Sequence, residues 1–339
     1  MKKVLVTGGA GFIGSHTVVA LHESGFEAVI VDNLANSEPF IVQRIEQIIG
    51  KKVKFYQVDC TDKHAMSQIF NIEKDLVGAI HFAANKSVPE SVSNPLKYYT
   101  ENINSLCVLL ELMNHHKIQN LIFSSSCTVY GQPDKYPVTE QTPQKPATSP
   151  YGNTKKICED ILVDYTKVSS IKALALRYFN PIGAHPSALI GELPKGVPTN
   201  LVPFITQTAA GIREMLTVFG SDYNTPDGSN VRDFIDVNDL AQAHVKSIQY
   251  LLSQDTQNLF DTINVGTGTG ATVLGVIKAF ESANELKLNY KIGPRREGDV
   301  EAIYATVNKA NTLLNWSCKV SLEESLKNAW KWEQSLTKS

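Results

Sequence analysis

At 339 residues the chain is long enough for two domains, or for one large domain with an appended lobe. Its 42% hydrophobic and 19% charged residues and formal net charge of -2 are those of an ordinary soluble globule. No basic field attracts nucleic acid and no run of 18 apolar residues enters a membrane, so neither is an expected partner.

The five cysteines (Cys60, Cys107, Cys127, Cys158, Cys318) are odd in number, scattered and without a C-x-x-C pair. That argues against a disulfide framework or a zinc site; no metal is expected, and a reducing cytoplasm fits. Lys2-Lys3 leads into apolar Val4-Leu5-Val6, but Thr7-Gly8-Gly9 breaks the run before a signal-peptide core forms.

Residues 3–7 instead read as a first β-strand, followed by Gly8-Gly9-Ala10-Gly11-Phe12-Ile13-Gly14 and a helical pattern over 15–24. Glycines at 8, 11 and 14 permit a tight turn, close approach of backbone to a pyrophosphate and close helix–strand packing, and the helix N-terminus favours the anion. A second strand, 28–32, ends on Asp32. An aspartate there accepts both ribose hydroxyls of a dinucleotide and repels a 2′-phosphate, and Asn33-Leu34-Ala35-Asn36 offers no arginine to counter it. The expected cofactor is therefore NAD, not NADP; the bland alternative is a glycine turn beside a solvated carboxylate.

Strands at 54–58, 78–81 and 120–124 alternate with amphipathic segments, and a sixth at 172–177 follows a helix that opens at Pro150. This alternation predicts an α/β fold with a Rossmann-type doubly wound parallel sheet. From Phe179 onward Pro and Gly multiply, and 201–213 is the one good helical window before Asp233. A smaller mixed α/β lobe is expected there, laid over the carboxyl edge of the sheet, where open sheets bind ligands. The expected division is 1–180 for the cofactor domain, with 231–265 returning to it, and 181–230 and 266–339 for the substrate lobe. Gly266-Thr267-Gly268-Thr269-Gly270, ahead of a helix at 273–280, lacks the G-x-G-x-x-G register and reads as a flexible connector.

A helix starting near Pro150 stacks Tyr151 and Lys155 on one face. A phenol with an ordinary pKa near 10 needs about 4 kcal/mol, at roughly 1.4 per unit, to act as a base near pH 7, and a neighbouring ammonium supplies part of it. Taken alone, the pair is equally an ordinary first turn.

Together with Gly8–Gly14, Asp32 and Phe123-Ser124-Ser125-Ser126, however, the pair resembles the extended short-chain dehydrogenase/reductases. The segments TGGAGFIGSHT, VDNLANS, FSSSCTVYG, LRYFNPIGAHPS, FGSDYNTPDGSNVRDFI and PRREGD narrow the resemblance, over nearly the full length, to the UDP-glucose 4-epimerases. It implies interconversion of UDP-galactose and UDP-glucose. Tyr151 would take the proton of the sugar's 4-hydroxyl, Lys155 would lower the pKa of Tyr151 and hold the nicotinamide ribose, and Ser126 would hydrogen-bond the same oxygen. Hydride would pass from C4 to NAD and return to the other face of a rotated 4-keto sugar.

The resemblance also implies NAD contacts from Gly8, Gly11, Phe12, Ile13, Gly14, Asp32, Asn33, Asn36, Ser37, Asp59, Cys60, Phe82, Ala83, Ala84, Lys86 and Phe179, besides Ser126, Tyr151 and Lys155. For the UDP-sugar it implies Ser126, Tyr151, Asn180, Asn200, Leu201, Phe219, Arg232, Arg296 and Asp299. Ile303 aligns with a position beside the sugar's 2-substituent, where a Tyr restricts the family to galactose and glucose and a small residue admits N-acetylated sugars; a slip of one residue would put Tyr304 there instead. Helices at 103–113 and 156–165 are expected to build a homodimer, as in the family, although their apolar residues serve equally as intrachain core.

The chain also departs from the family. Ala84-Asn85-Lys86-Ser87-Val88-Pro89 is stiffer and more polar than the usual loop, Glu101-Asn102 replaces Asn-Asn, and Ile235-Asp236-Val237 replaces Ile-His-Val. Cofactor affinity and substrate range are what these changes bear on. A 4,6-dehydratase of the same family is the nearest rival, but it needs an Asp-Glu pair where this chain has Cys127-Thr128. Cys127 as the acid/base of a reductase competes with a small buried residue packing behind the serine. A redox-sensing NAD binder would have lost Tyr151, Lys155 or Ser126, and all three are present.

Overall fold

The computed structural model describes residues 1–296 and 299–337; Glu297 and Gly298 of the PRREGD motif lie outside them. Largely apolar runs, rich in Val and Ile in β1 and β2, form β1 (Lys2–Thr7), β2 (Phe26–Val31), β3 (Lys54–Tyr56), β4 (Leu76–His81), β5 (Asn120–Ser126) and β6 (Lys172–Tyr178). Between them run α1 (Phe12–Glu23), α2 (Pro39–Ile49), α3 (Lys63–Ile72), α4 (Val88–Ser93), α5 (Pro95–Tyr98), α6 (Asn104–His115) and α7 (Pro150–Val168). Next come β7 (Asn180–Ile182), α8 (Leu201–Ala209), β8 (Leu216–Phe219), β9 (Val231–Arg232), β10 (Phe234–Asp236), α9 (Val237–Ser253) and β11 (Phe260–Val265). The chain closes with β12 (Ala271–Thr272), α10 (Val273–Asn284), β13 (Tyr290–Gly293), β14 (Ala302–Ile303), α11 (Asn308–Leu314) and α12 (Leu322–Thr337).

β11 docks beside β6 to complete a seven-stranded parallel sheet in the order β11-β6-β5-β4-β1-β2-β3. The order reverses between β4 and β1, and at such a switch point the carboxyl ends of the strands open a crevice. Side chains alternate across each strand. Val4, Ile30, Ile122 and Leu174 face α1 and α9, packing with Val18, Leu240 and Val245. Leu5, Val29, Leu121 and Phe123 face the other way and pack with Ile69, Leu109 and Leu162. Burial on both faces is why these strands are continuous apolar runs. A separate core around Ile205, Phe234, Ile277, Phe280 and Leu326 holds the smaller lobe.

Three sequence expectations are adjusted here. α8 ends at Ala209, short of 213, because Gly211 takes a left-handed φ of +73°. The 266–270 stretch is no free connector: Thr267 donates its N–H (2.8 Å) and hydroxyl (2.7 Å) to buried Asp233, and a Cβ on Gly266 would meet that carboxylate at 2.4 Å. Leu106, Leu110 and Met113 of α6 are buried within the chain itself and serve as intrachain core, while Ile103 of the same stripe is only half-buried. No described helix is long and apolar enough to cross a membrane.

Candidate active site

The turn after β1 leaves room for nothing larger than glycine at two places. Gly8 has a φ of +69°, and a Cβ on it would lie 2.8 Å from the Ala83 nitrogen; one on Gly14 would lie 2.2 Å from the Gly8 carbonyl oxygen. Gly11 caps α1 without a side chain, so the N–H groups of the first turn, beginning at Phe12 and Ile13, are free to meet an anion. Asp32, at the end of β2, is held by the Ala10 N–H (3.0 Å), the Leu34 N–H (2.8 Å) and the Ser37 hydroxyl (3.1 Å). Asn33 donates to Asp59 (2.8 Å). Burial alone would raise the Asp59 carboxyl, but bonds from Thr61 and Asn33 outweigh it and bring the pKa below the usual value. Asn36 is exposed beside this rim; Cys60 is buried, which pushes its thiol up. A glycine-only turn, an open helix N-terminus and a fixed carboxylate together fit a dinucleotide.

At the same sheet edge, Pro150 opens α7 and the Ser149 hydroxyl accepts the Gly152 N–H (3.1 Å), which fixes the start of the helix. Lys155 is buried; its ammonium donates to the Ser124 carbonyl (2.7 Å) and lies 5.0 Å from the centre of the Phe123 ring and 5.9 Å from that of Tyr151. Burial lowers the Lys155 pKa to about 8, with Cys158 and Glu159 pulling it up. Burial likewise pushes the Tyr151 phenol up to about 12, opposed by a hydrogen bond with Ser126. The ammonium alone therefore does not produce a phenolate here, because burial outweighs it at that distance.

Ser126 also accepts the Thr128 N–H (3.2 Å). The Ser124 hydroxyl bonds the hydroxyl of Tyr178, whose ring meets His244 edge-on. Cys127 is buried with Val129, Phe179 and Ile303, and burial takes its thiol to about 12. No acid pair follows β5 at this point.

Phe82 packs on His244 (ring centres 4.7 Å apart), and Ala83 and Ala84 lead to Asn85, whose N–H and C=O both bond the side chain of Asn102 (2.7 and 3.1 Å). Glu101 accepts from the Asn85 amide (2.6 Å) and so braces this loop. Lys86 meets Glu192 (3.1 Å), and the same Glu192 oxygen accepts from Asn200 (2.6 Å), the residue that caps α8 just before Leu201.

Across the crevice, Asn180 opens β7 with its N–H on the Asp233 carbonyl (2.9 Å), and the Arg296 guanidinium stacks on Phe219 (4.4 Å). Arg232 lies 3.5 Å from Asp299. Ile303 pairs with Arg232 in register and is buried beside Phe179 and Cys127. Tyr304, one residue on, packs against Tyr136 and the space at Gly270 instead. Glu192, Tyr178 and Glu159 were not apparent as site neighbours from the sequence. Only Glu159 carries a local signal, since it lies two helical turns after Tyr151.

A glycine-lined turn at the switch point, with a Tyr, a Lys and a Ser converging on the same edge, defines a dinucleotide-dependent enzyme of the short-chain dehydrogenase/reductase class. Residues 5–329 match the family model described as GDP-mannose 4,6 dehydratase. The UDP-glucose 4-epimerase of Bacillus subtilis (strain 168) is 46% identical over 333 residues, covering 98% of this chain and 97% of the relative. The UDP-glucose 4-epimerase of Stenotrophomonas maltophila, crystallised with NAD and formylated UDP-arabinopyranose, superposes with a TM-score of 0.96 at 43% identity over 100% of this chain and 99% of its own. The Bifidobacterium longum enzyme, in complex with NAD+ and UDP, gives 0.93 at 44% identity over 98% of each chain. The chain belongs to the UDP-glucose 4-epimerase family.

Proposed function

We propose that this protein interconverts UDP-galactose and UDP-glucose by oxidation at C4, rotation of the 4-keto sugar and reduction on its opposite face. The observation that carries the reading is the convergence of Tyr151, Lys155 and Ser126 at the carboxyl end of β5, beside the Gly8–Gly14 turn. When bound, NAD supplies the acceptor and then the donor of the C4 hydride, together with a positive charge that favours phenolate. Gly8, Gly11 and Gly14 hold its pyrophosphate, with Phe12 and Ile13 starting the anion-facing turn; Asp32 holds its adenine ribose. Asn33, Asn36, Ser37, Asp59 and Cys60 line the adenine side, and Phe82, Ala83, Ala84, Lys86 and Phe179 the remainder.

Tyr151 takes the 4-hydroxyl proton and later returns it, Ser126 donates to the same oxygen, and Lys155 holds the nicotinamide ribose. Asn180, Asn200, Leu201, Phe219 and Asp299 bind the nucleotide sugar, and Arg232 and Arg296 suit its diphosphate. We assign residues 1–180 and 231–265 to the cofactor half and 181–230 and 266–339 to the substrate lobe; β11 completing the large sheet supports this division. The absence of an acid pair after β5 favours epimerisation over dehydration.

Because the cycle never requires cofactor exchange, NAD is expected to co-purify. The test is to denature the purified protein, identify the released dinucleotide, and assay the intact protein with UDP-galactose alone. NAD and unaided formation of UDP-glucose are expected; NADP, or activity that depends on stoichiometric added NADH, contradicts the reading.

Ile303 sets the sugar range in this account. Its branched chain leaves more room than a Tyr but cannot fold aside. UDP-galactose and UDP-glucose are the expected main pair, with slower turnover of UDP-GalNAc and UDP-GlcNAc. In Ile303→Tyr, strain of about 1–3 kcal/mol should lower kcat/KM for the acetylated pair by roughly 5- to 150-fold. An acetylated pair that is inert in both proteins, or equally active in both, rules out this role.

A homodimer through α6 and α7 and residence in the cytoplasm complete the proposal. Partly buried Ile103, Ile161 and Tyr165 at the outer margin of the core, and five free cysteines, support them. Sedimentation at micromolar concentration tests the dimer.

A further inference from the structure

Three consecutive residues of β5 meet three successive turns of α7. Ser126 faces Tyr151 and opposes the burial-driven rise of its phenol, the Ser124 carbonyl accepts the Lys155 ammonium (2.7 Å), and the Ser125 hydroxyl donates to Glu159 (2.5 Å). The third rung takes no part in the chemistry proposed above, yet it is the most heavily built. Glu159 receives Arg177 of β6 through both oxygens (2.9 and 2.6 Å) and Gln144 on one of them (2.8 Å). Arg177 is the register partner of Ser125, and it continues to the Tyr130 hydroxyl (3.1 Å), which donates to Asn264 of β11 (2.6 Å). Ser125, Glu159 and Arg177 are all buried.

A buried ion pair is a weak source of stability, since a well-packed apolar pair of similar volume is often as stable or more so. What such a pair adds is a single allowed geometry, because a charge displaced from its partner in a dry interior is strongly disfavoured. Resting on the reading that Tyr151, Lys155 and Ser126 carry the reaction, we propose that the Glu159–Arg177 pair, linked to β5 through the Ser125 hydroxyl, is a positioning device that fixes the register of α7 on β5 and β6 and so aims Tyr151 and Lys155. It also ties β6 to Tyr130, at the far end of the short turn that begins just after Ser126. The sliding of a helix by about 1 Å is enough to cost on the order of 100-fold in rate, which is the scale on which this pair acts.

The test replaces the pair together, as Glu159→Met/Arg177→Met, so that no lone charge is left buried, and uses Ser125→Ala as a second variant that leaves the ion pair intact. Bound NAD, thermal midpoint, kcat and KM for UDP-galactose are measured for each. The double variant is expected to stay folded with NAD bound and to lose about 10- to 100-fold in kcat, with KM within about threefold of the parent. Ser125→Ala should lose about three- to tenfold in kcat, and it decides the matter if the double variant does not fold. An unchanged kcat per bound NAD in either folded variant, or a change confined to KM, overturns the proposal. Tyr151→Phe in the same assay separates the two layers: if it is active, the catalytic reading itself fails, whereas an inert Phe variant beside a fully active double variant refutes only the positioning role.

Discussion

Replacing Tyr151 with Phe is expected to abolish epimerisation, with a loss of about 10²- to 10⁴-fold or more in kcat, while UDP-sugar binding changes little. The ring stays, so the packing of α7 on β5 is kept, and only the proton acceptor and its bond with Ser126 are removed. The size of the effect follows from the environment. With burial taking the phenol to about 12, forming phenolate at pH 7 costs about 7 kcal/mol at roughly 1.4 per unit. The Ser126 hydrogen bond already counts toward that value, so the Lys155 ammonium and the cofactor's positive charge must offset the cost together. Among the described residues no other group is placed to take over. The measurement is kcat alongside calorimetric affinity for UDP-sugar; full activity in the Phe variant would put the base elsewhere.

Ser126→Ala should be the next largest effect, about two to three powers of ten in kcat with KM nearly unchanged, as for other donors that act on a developing oxyanion. The Thr128 N–H loses its acceptor in this variant. That turn lies at the end of a strand buried along its whole length, so the fold is expected to hold. A KM that rises in proportion while kcat stays level would show that Ser126 binds substrate without serving the reaction.

What could be read in the sequence was local. The Gly8–Gly14 turn lies between a strand and a helix that are adjacent in the chain, and a glycine with a left-handed φ or a blocked Cβ leaves its trace at that position alone. The start of α7 was legible for the same reason, since Ser149 and Pro150 are its cap and first residue. What escaped depends on segments distant in sequence. Glu192 joins Lys86 to Asn200 only once the lobe is laid over the sheet, and Glu159 finds Arg177 only because β6 lies beside β5. The Tyr151 pKa belongs with these. Its spacing from Lys155 predicts a helpful cation, whereas the depth of burial, which decides the direction, comes from the tertiary fold. The surroundings of Ile303 and Tyr304 likewise differ only in the fold: Ile303 is buried beside Phe179 and Cys127, whereas Tyr304 packs against Tyr136.

The central claim is that one hydride leaves C4 and returns to the same carbon from the other face without exchanging with anything outside the site. Incubating the purified protein with UDP-galactose deuterated at C4, with no added cofactor, tests it directly by NMR and mass spectrometry of the product. The account predicts UDP-glucose that retains deuterium at C4 with inverted configuration. Loss of that deuterium to solvent would contradict it.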